Sequence, residues 1–270
     1  MTQIAAKPIE YHQLTVSEGA SAFMFYGPAG SGKTTAAIEA IRNLPEGQRA
    51  LVYDMDRKLD SMTNLKPELI ARVDVWQPTA TLSGTSAINV VRVERKDEKG
   101  KVIEGTKGFI PPNPRGYLEL VDAINNTIAN PNPIHGLYIL DTMTTTVEHL
   151  TRLICHHHQV SSFTQQLWGV FASCVEEFRA GFLSLPGKRI MIAHTITRED
   201  ELTKEVRTIP SVPGQSGEKL PKDFNEVYYF EGRNSAGKYR VLTTASRRYV
   251  ARTTRGFAVE EDLDNVIKRV

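Results

Sequence analysis

Cysteine is scarce in this sequence: Cys155 and Cys174 are the only two in 270 residues. Two thiols so placed supply neither a disulfide framework nor a four-thiolate zinc site, and the expectation is a pair of ordinary buried or half-buried thiols in a reducing compartment. Long apolar runs are missing as well. None approaches the roughly 18 residues a membrane helix needs, and residues 1–16 lack the basic-then-apolar layout of a signal peptide, so the chain reads as soluble and cytoplasmic, with no membrane partner. The net charge of +2 is too small to indicate a partner by itself. Acid is nevertheless absent from one stretch: between Gly232 and Val259 stand seven basic residues, Arg233, Lys238, Arg240, Arg247, Arg248, Arg252 and Arg255, and no Asp or Glu. There is no internal repeat and no low-complexity tract.

What is present is an alternation of strands and helices, the signature of an α/β fold with a mostly parallel, helix-flanked sheet. At 40% apolar content, residues 1–270 suffice for one large domain around a single core. Apolar runs predict strands at 22–26, 50–53, 73–76, 137–140 and 189–193, with helices at 34–43 and 165–185. Tyr117, Leu120, Val121, Ile124 and Ile128 fall at helical spacing and predict one buried helix face. Runs at 226–230 and 239–243 flank a turn at 234–237 and predict a C-terminal β-hairpin. Residues 83–115 exceed a minimal core. There, runs at 88–94 and 101–104 surround a charged turn, which predicts an inserted surface β-hairpin, either partner-binding or a tolerated excursion.

Gly27-Pro28-Ala29-Gly30-Ser31-Gly32-Lys33-Thr34 fills every fixed position of G-x-x-x-x-G-K-[ST], between an apolar strand and a helical pattern, with Thr35 following. The glycines let successive backbone amides turn toward a β-phosphate, and the following helix presents its positive end. Lys33 is placed for β- and γ-phosphate oxygens, and the Thr34 hydroxyl for Mg²⁺. The metal also needs a carboxylate, and Asp141, closing an apolar strand, is the candidate; its structural alternative is to cap the threonine-rich segment that follows. Hydrolysis needs a group that orients water. Asp54, Asp56 and His194 all stand at strand ends, with Asp56 preferred; for each, capping a loop is the alternative role.

These residues together resemble the RecA-like ATPase core, in particular the core-only nucleotide-binding proteins of bacteriophages, some of which act in single-strand annealing or recombination. The resemblance runs through Asp54-Met55-Asp56, where the family has an acidic residue, a spacer and a catalytic carboxylate, and through the turn Trp76-Gln77-Pro78. It continues through the metal-site strand closed by Asp141-Thr142, and through Ile192-Ala193-His194, whose polar tip senses the γ-phosphate in the family. Pro213-Gly214 follows, and Arg252 and Arg255 are similar to a late basic pair that reaches a neighbouring subunit's phosphate. The resemblance implies ATP and Mg²⁺ as ligands, a homo-oligomer, and work with single-stranded DNA and with phage or host replication or recombination proteins, in the host cytoplasm. Two departures stand out. Asp56 is one methylene shorter than the glutamate of RecA, which implies slow turnover. The loop at 198–205, which touches DNA in RecA, is neither basic nor aromatic here.

Arg252 and Arg255 admit three readings: arginine fingers in trans, nucleic-acid backbone contacts, or a solvated surface. Cys155-His156-His157-His158 reads as a solvated helix end, because consecutive histidines on a helix diverge instead of converging on a metal. Three further functional readings stay open beside a DNA-stimulated ATPase: a nucleotide switch with negligible turnover, a nucleotide kinase, and a duplex motor.

Overall fold

Runs of aliphatic and aromatic residues buried on both faces build the centre of the molecule. The structure, a computed structural model, describes residues 22–59, 65–79, 91–96, 99, 101–110, 115–199, 204–254 and 260–270. In chain order the elements are β1 (Ala22–Tyr26), α1 (Lys33–Glu39), β2 (Arg49–Asp54), α2 (Pro67–Ile70), β3 (Val73–Trp76), β4 (Val91–Lys96), β5 (Val102–Ile110), α3 (Gly116–Ala129) and β6 (His135–Asp141). There follow α4 (Met143–His157), α5 (Gln165–Leu183), β7 (Lys188–Ala193), β8 (Thr195–Glu199), β9 (Val206–Pro210), α6 (Ser216–Lys219), β10 (Glu226–Arg233), β11 (Tyr239–Leu242), β12 (Glu260–Asp262) and α7 (Leu263–Arg269).

Eight strands form one sheet in the order β12-β11-β10-β1-β7-β6-β2-β3. From β10 to β3 every neighbour is parallel, and β11 and β12 add an antiparallel margin. The architecture is the α/β arrangement predicted above, a mostly parallel sheet flanked by helices. Side chains alternate between the faces, as a two-sided parallel sheet requires. Met24 and Tyr26 of β1, Tyr138 and Leu140 of β6, and Met191 of β7 meet α3, α4 and α5 in one core layer. Phe23, Phe25, Leu137, Ile139, Ile190 and Ile192 face the other way, toward α1 and α7.

The predicted C-terminal hairpin is β10–β11, and the predicted insertion carries the antiparallel pair β4–β5 in a separate two-stranded sheet. Its turn lies largely outside the described residues. Three differences from the sequence reading have physical causes. Tyr117, Leu120 and Ile124 of α3 are buried, but Val121 is half-buried and Ile128 is 36% exposed, because they lie at the margin of the stripe and, in the last turn, Thr127 is the residue that meets the core, at Tyr53. The segment after His194 is not simply a loop: β8 and β9 pair from Thr195↔Pro210 to Glu199↔Val206. Its β-branched residues alternate with charges, which hides the strand pattern. α4 extends well ahead of its histidine end: Met143, Val147, Leu150 and Ile154 form its buried stripe and Thr142 caps it by accepting the Thr145 N–H at 3.2 Å, while the β-branched threonines of its first turn hide the helical pattern. Cys155 is buried and Cys174 half-buried, both free thiols. No helix among the described residues is long and apolar enough to cross a membrane.

Candidate functional site

The C-terminal ends of β1, β7, β6 and β2 lie side by side, and each delivers one polar group to a common cleft of about 320 Å³. Register sets this alignment: Tyr26 pairs with Ala193 and Asp54 with Asp141. The Gly27 N–H donates to Ala193 O at 3.3 Å, and the Met55 N–H to Asp141 O at 2.6 Å, so the strand tips are also tied beyond their ends. Open parallel sheets bind ligands at this edge. A larger cleft of about 420 Å³ between α5 and residues 213–219, lined by Trp168, Phe171 and Arg179 among others, lies apart from these groups. The smaller cleft is the candidate site because the converging chemistry is there.

The phosphate loop has the backbone its glycines predict. Gly30 and Gly32 lie at φ 72° and 89°, which favours glycine. Gly27 is required for a different reason, since a Cβ there would come within 2.2 Å of Phe230 O on the adjoining strand. Lys33, buried at the start of α1, donates from Nζ to Gly27 O at 2.9 Å and Pro28 O at 2.7 Å. Burial pulls its ammonium down to about 8, against the opposing pull of Asp141 and Asp56. Ala29, Gly30, Ser31, Gly32, Lys33, Thr34 and Thr35 all line the cleft, whereas Gly27 and Pro28 do not and act through their carbonyls on Lys33.

Thr34 Oγ1 donates to Asp141 Oδ2 at 2.8 Å, which puts the two sequence-predicted metal ligands in contact. Burial pushes the Asp141 carboxyl up to about 6; the bond from Thr34 and the charge of Lys33 oppose this, and the carboxylates of Asp56 and Asp54 add to it. A buried carboxylate with this environment is short of positive charge. A hydroxyl and a carboxylate side by side next to a phosphate loop are hard oxygen donors of the kind Mg²⁺ takes, with phosphate and water completing its shell. The donor set therefore fits Mg²⁺, which Thr34 and Asp141 would hold. Asp141 is not the cap of the threonine-rich helix; Thr142 is.

Asp56 and Asp54 diverge in role. Asp54 is fully buried and accepts from the Lys58 and Leu59 amides at 3.4 and 3.3 Å and from Gln77 Nε2 at 2.9 Å, so it braces the turn after β2. Asp56 faces the cleft. It accepts from Thr142 Oγ1 at 3.2 Å, from Thr145 Oγ1, and from Lys58 Nζ at 3.0 Å, with His194 Nε2 at 3.8 Å. Burial raises its carboxyl, but the donors from His194, Thr145 and Lys58 outweigh burial and hold it well below the ordinary carboxylate range. So acidic a group is a poor proton acceptor and a firm hydrogen-bond anchor. His194 itself is fixed by its backbone N–H, which donates to Thr144 Oγ1 at 2.9 Å.

Lys58, Leu59 and Tyr239 line the cleft beyond the sequence-predicted residues. Lys58 lines the cleft beside Asp56, and Tyr239 of β11 lies so close to Gly32 that an added Cβ would come within 3.1 Å of its ring. Lys58, two residues beyond Asp56, was within reach of motif reasoning; Tyr239 depends on hairpin packing and carried no local signal. Arg233 caps the Tyr239 ring at 4.7 Å from its centroid. Arg252 is not brought to the cleft: its guanidinium donates to Pro221 O, Lys222 O and Phe224 O, clasping the chain ahead of β10. Arg255 lies outside the described residues.

Comparison with known proteins agrees with the geometry. The sequence profile of the AAA_24 family, an AAA domain, matches residues 20–255. No curated protein matches. Among solved structures the chain is similar to the RadB recombinase at 12% identity and a TM-score of 0.39, over 83% of this chain and 80% of that one. With a phosphate loop, a hydroxyl–carboxylate pair and a polar strand tip gathered at one sheet edge, and with the profile covering nearly all of its length, the chain belongs to the AAA_24 family of AAA domains.

Proposed function

We propose that the chain binds ATP with Mg²⁺ in the cleft at the tips of β1, β7, β6 and β2 and hydrolyses it slowly. The observation that carries this reading is the contact of Thr34 with Asp141 within one cleft that also holds Lys33, Asp56 and His194. Lys33 and the loop amides hold the phosphates. Thr34 and Asp141 would hold Mg²⁺, which when bound would neutralise phosphate charge. Asp56, anchored by Thr142 and Thr145, orients His194 toward the terminal phosphate and the attacking water. Tyr239 walls the cleft beside Gly32 and contributes to nucleotide affinity.

The same reading places the protein, as an oligomer encoded by a phage or prophage, on or beside single-stranded DNA during recombination, annealing or replication. The RecA-like resemblance of its motifs and the acid-free stretch before β12 support this, with Arg247 and Arg248 exposed on the turn after β11. Nucleic-acid backbones reward exposed positive charge of this kind. ATP hydrolysis measured with and without single-stranded DNA tests it: the rate rises with DNA on this reading, while an unchanged rate together with no DNA binding at low salt contradicts it.

A second reading is a nucleotide-dependent switch with negligible turnover. The saturation of Asp56 by hydrogen-bond donors favours it, because a carboxylate so engaged has little capacity to accept a proton from water.

A further inference from the structure

Resting on the hydrolytic reading above, we propose that Lys58 is a catalytic cation supplied in cis, its ammonium bonding a terminal-phosphate oxygen of the nucleotide bound by the same chain. Phosphoryl transfer spreads negative charge over the terminal phosphate and the leaving oxygen, and fixed positive charge placed there before the reaction stabilises the transition state. Among the described residues lining the cleft, Lys33 and Lys58 are the two lysines, and they depart from different elements. Lys33 belongs to the phosphate loop. Lys58 belongs to the turn after β2, on the side of Asp56 and His194.

The turn is built to deliver that side chain. Buried Asp54 spends its acceptors on the Lys58 and Leu59 amides and on Gln77, which pins the backbone at the point where Lys58 departs. A buried carboxylate left without such bonds would be strongly unfavourable, so the pinning is mutual. Arg57 adopts φ 53°, a left-handed conformation uncommon for a residue other than glycine, and its guanidinium donates to Pro78 O. The reversal at Arg57 folds Lys58 back, so that Nζ meets Asp56 Oδ2 at 3.0 Å. Asp56 in turn is held by Thr142 and Thr145 at the start of α4.

Exposure separates the two ends of this ion pair. The Asp56 side chain is 6% exposed and the Lys58 side chain 72% exposed, so the carboxylate is the fixed member and the ammonium stands at the cleft mouth. An ammonium carries three N–H donors and can serve Asp56 and a phosphate oxygen together. The negative charge of Asp56 is shared among two hydroxyls, Lys58 and His194. Arg252, the residue of the late basic pair that the structure describes, is engaged with three carbonyls of its own chain, whereas Lys58 is already in place in each cleft.

The test uses the full chain and steady-state ATP hydrolysis, with Lys33→Ala as blank and ADP affinity measured in parallel. Lys58→Ala is expected to lower kcat by roughly 100-fold or more, the scale of a lost transition-state donor, while ADP affinity changes by less than about threefold, since the missing contact is to the terminal phosphate. Lys58→Arg restores part of kcat. An equimolar mixture of Lys33→Ala and Lys58→Ala chains stays inactive if both lysines must belong to one chain. An unchanged kcat in Lys58→Ala overturns the assignment, and recovery of activity in the mixture overturns its cis character. A wild-type rate no higher than the Lys33→Ala blank overturns the hydrolytic reading itself, and the Lys58 assignment with it.

Discussion

Thr34 and Asp141 are separated by 107 residues and joined by a 2.8 Å hydrogen bond, although β7 stands between β1, which leads through the phosphate loop to Thr34 at the start of α1, and β6, which ends in Asp141. Their contact results from parallel register, and it leaves a buried carboxylate waiting for positive charge.

That carboxylate destabilises the unliganded fold. Asp141 has a folded pKa raised to about 6 from 3.8, so the unfolded chain loses its proton first as pH rises, and the fold weakens between pH 4 and 6 and levels off above. Asp141→Asn removes the charge and keeps an acceptor for Thr34. In EDTA at pH 7.5 the variant is expected to be more stable than wild type by an amount on the order of 3 kcal/mol, a gain that fades toward pH 4. Its Mg²⁺-dependent turnover is lost. Urea unfolding at several pH values measures the first effect; equal stabilities at every pH would contradict it.

His149 sets the opposite trend. It is 2% exposed on α4, its Nδ1 has no hydrogen-bond partner among the described residues, and burial holds its imidazole down to about 4. The unfolded chain takes up the proton near the ordinary value of 6.5, so this group removes stability as pH falls from 6.5 toward 4. At pH 5 the loss amounts to about 2 kcal/mol. A His149→Leu variant is expected to lose less stability than wild type between pH 7.5 and pH 5, as read from denaturant midpoints at the two pH values.

Gly32 and Tyr239 form a second contact that can be tested. Gly32→Ala meets both a left-handed φ of 89° and the Tyr239 ring at 3.1 Å, so it distorts the phosphate loop and abolishes nucleotide binding. Tyr239→Ala leaves the loop backbone intact and weakens ATP affinity by roughly tenfold, the scale of one lost ring contact. Combining Tyr239→Ala with Gly32→Ala does not restore binding, because the backbone strain remains. Equilibrium titration with a fluorescent nucleotide distinguishes the three proteins.

Local signals made much of this site legible. The phosphate loop is a contiguous motif whose glycines, lysine and threonine announce themselves, and the central strands are continuous apolar runs whose ends place Asp54, Asp56, Asp141 and His194 on one edge. What stayed hidden depends on contacts distant in sequence. Nothing near Asp54 in the chain separates its bracing role from the cleft-facing role of Asp56; the difference arises from Gln77 on the neighbouring strand end and from the threonines of α4. Tyr239 reaches the loop only because β10 pairs with β1 and carries β11 with it. Charges mask the β8–β9 pair, and the three readings of Arg252 as finger, nucleic-acid contact or surface residue stay level until its three carbonyl partners are seen.

The most direct test of the central claim is steady-state hydrolysis of ATP in Mg²⁺ by the wild-type chain against Lys33→Ala. Slow hydrolysis that exceeds the variant by at least roughly tenfold and vanishes with EDTA is the predicted result. Identical rates in the two proteins would contradict a hydrolytic cleft.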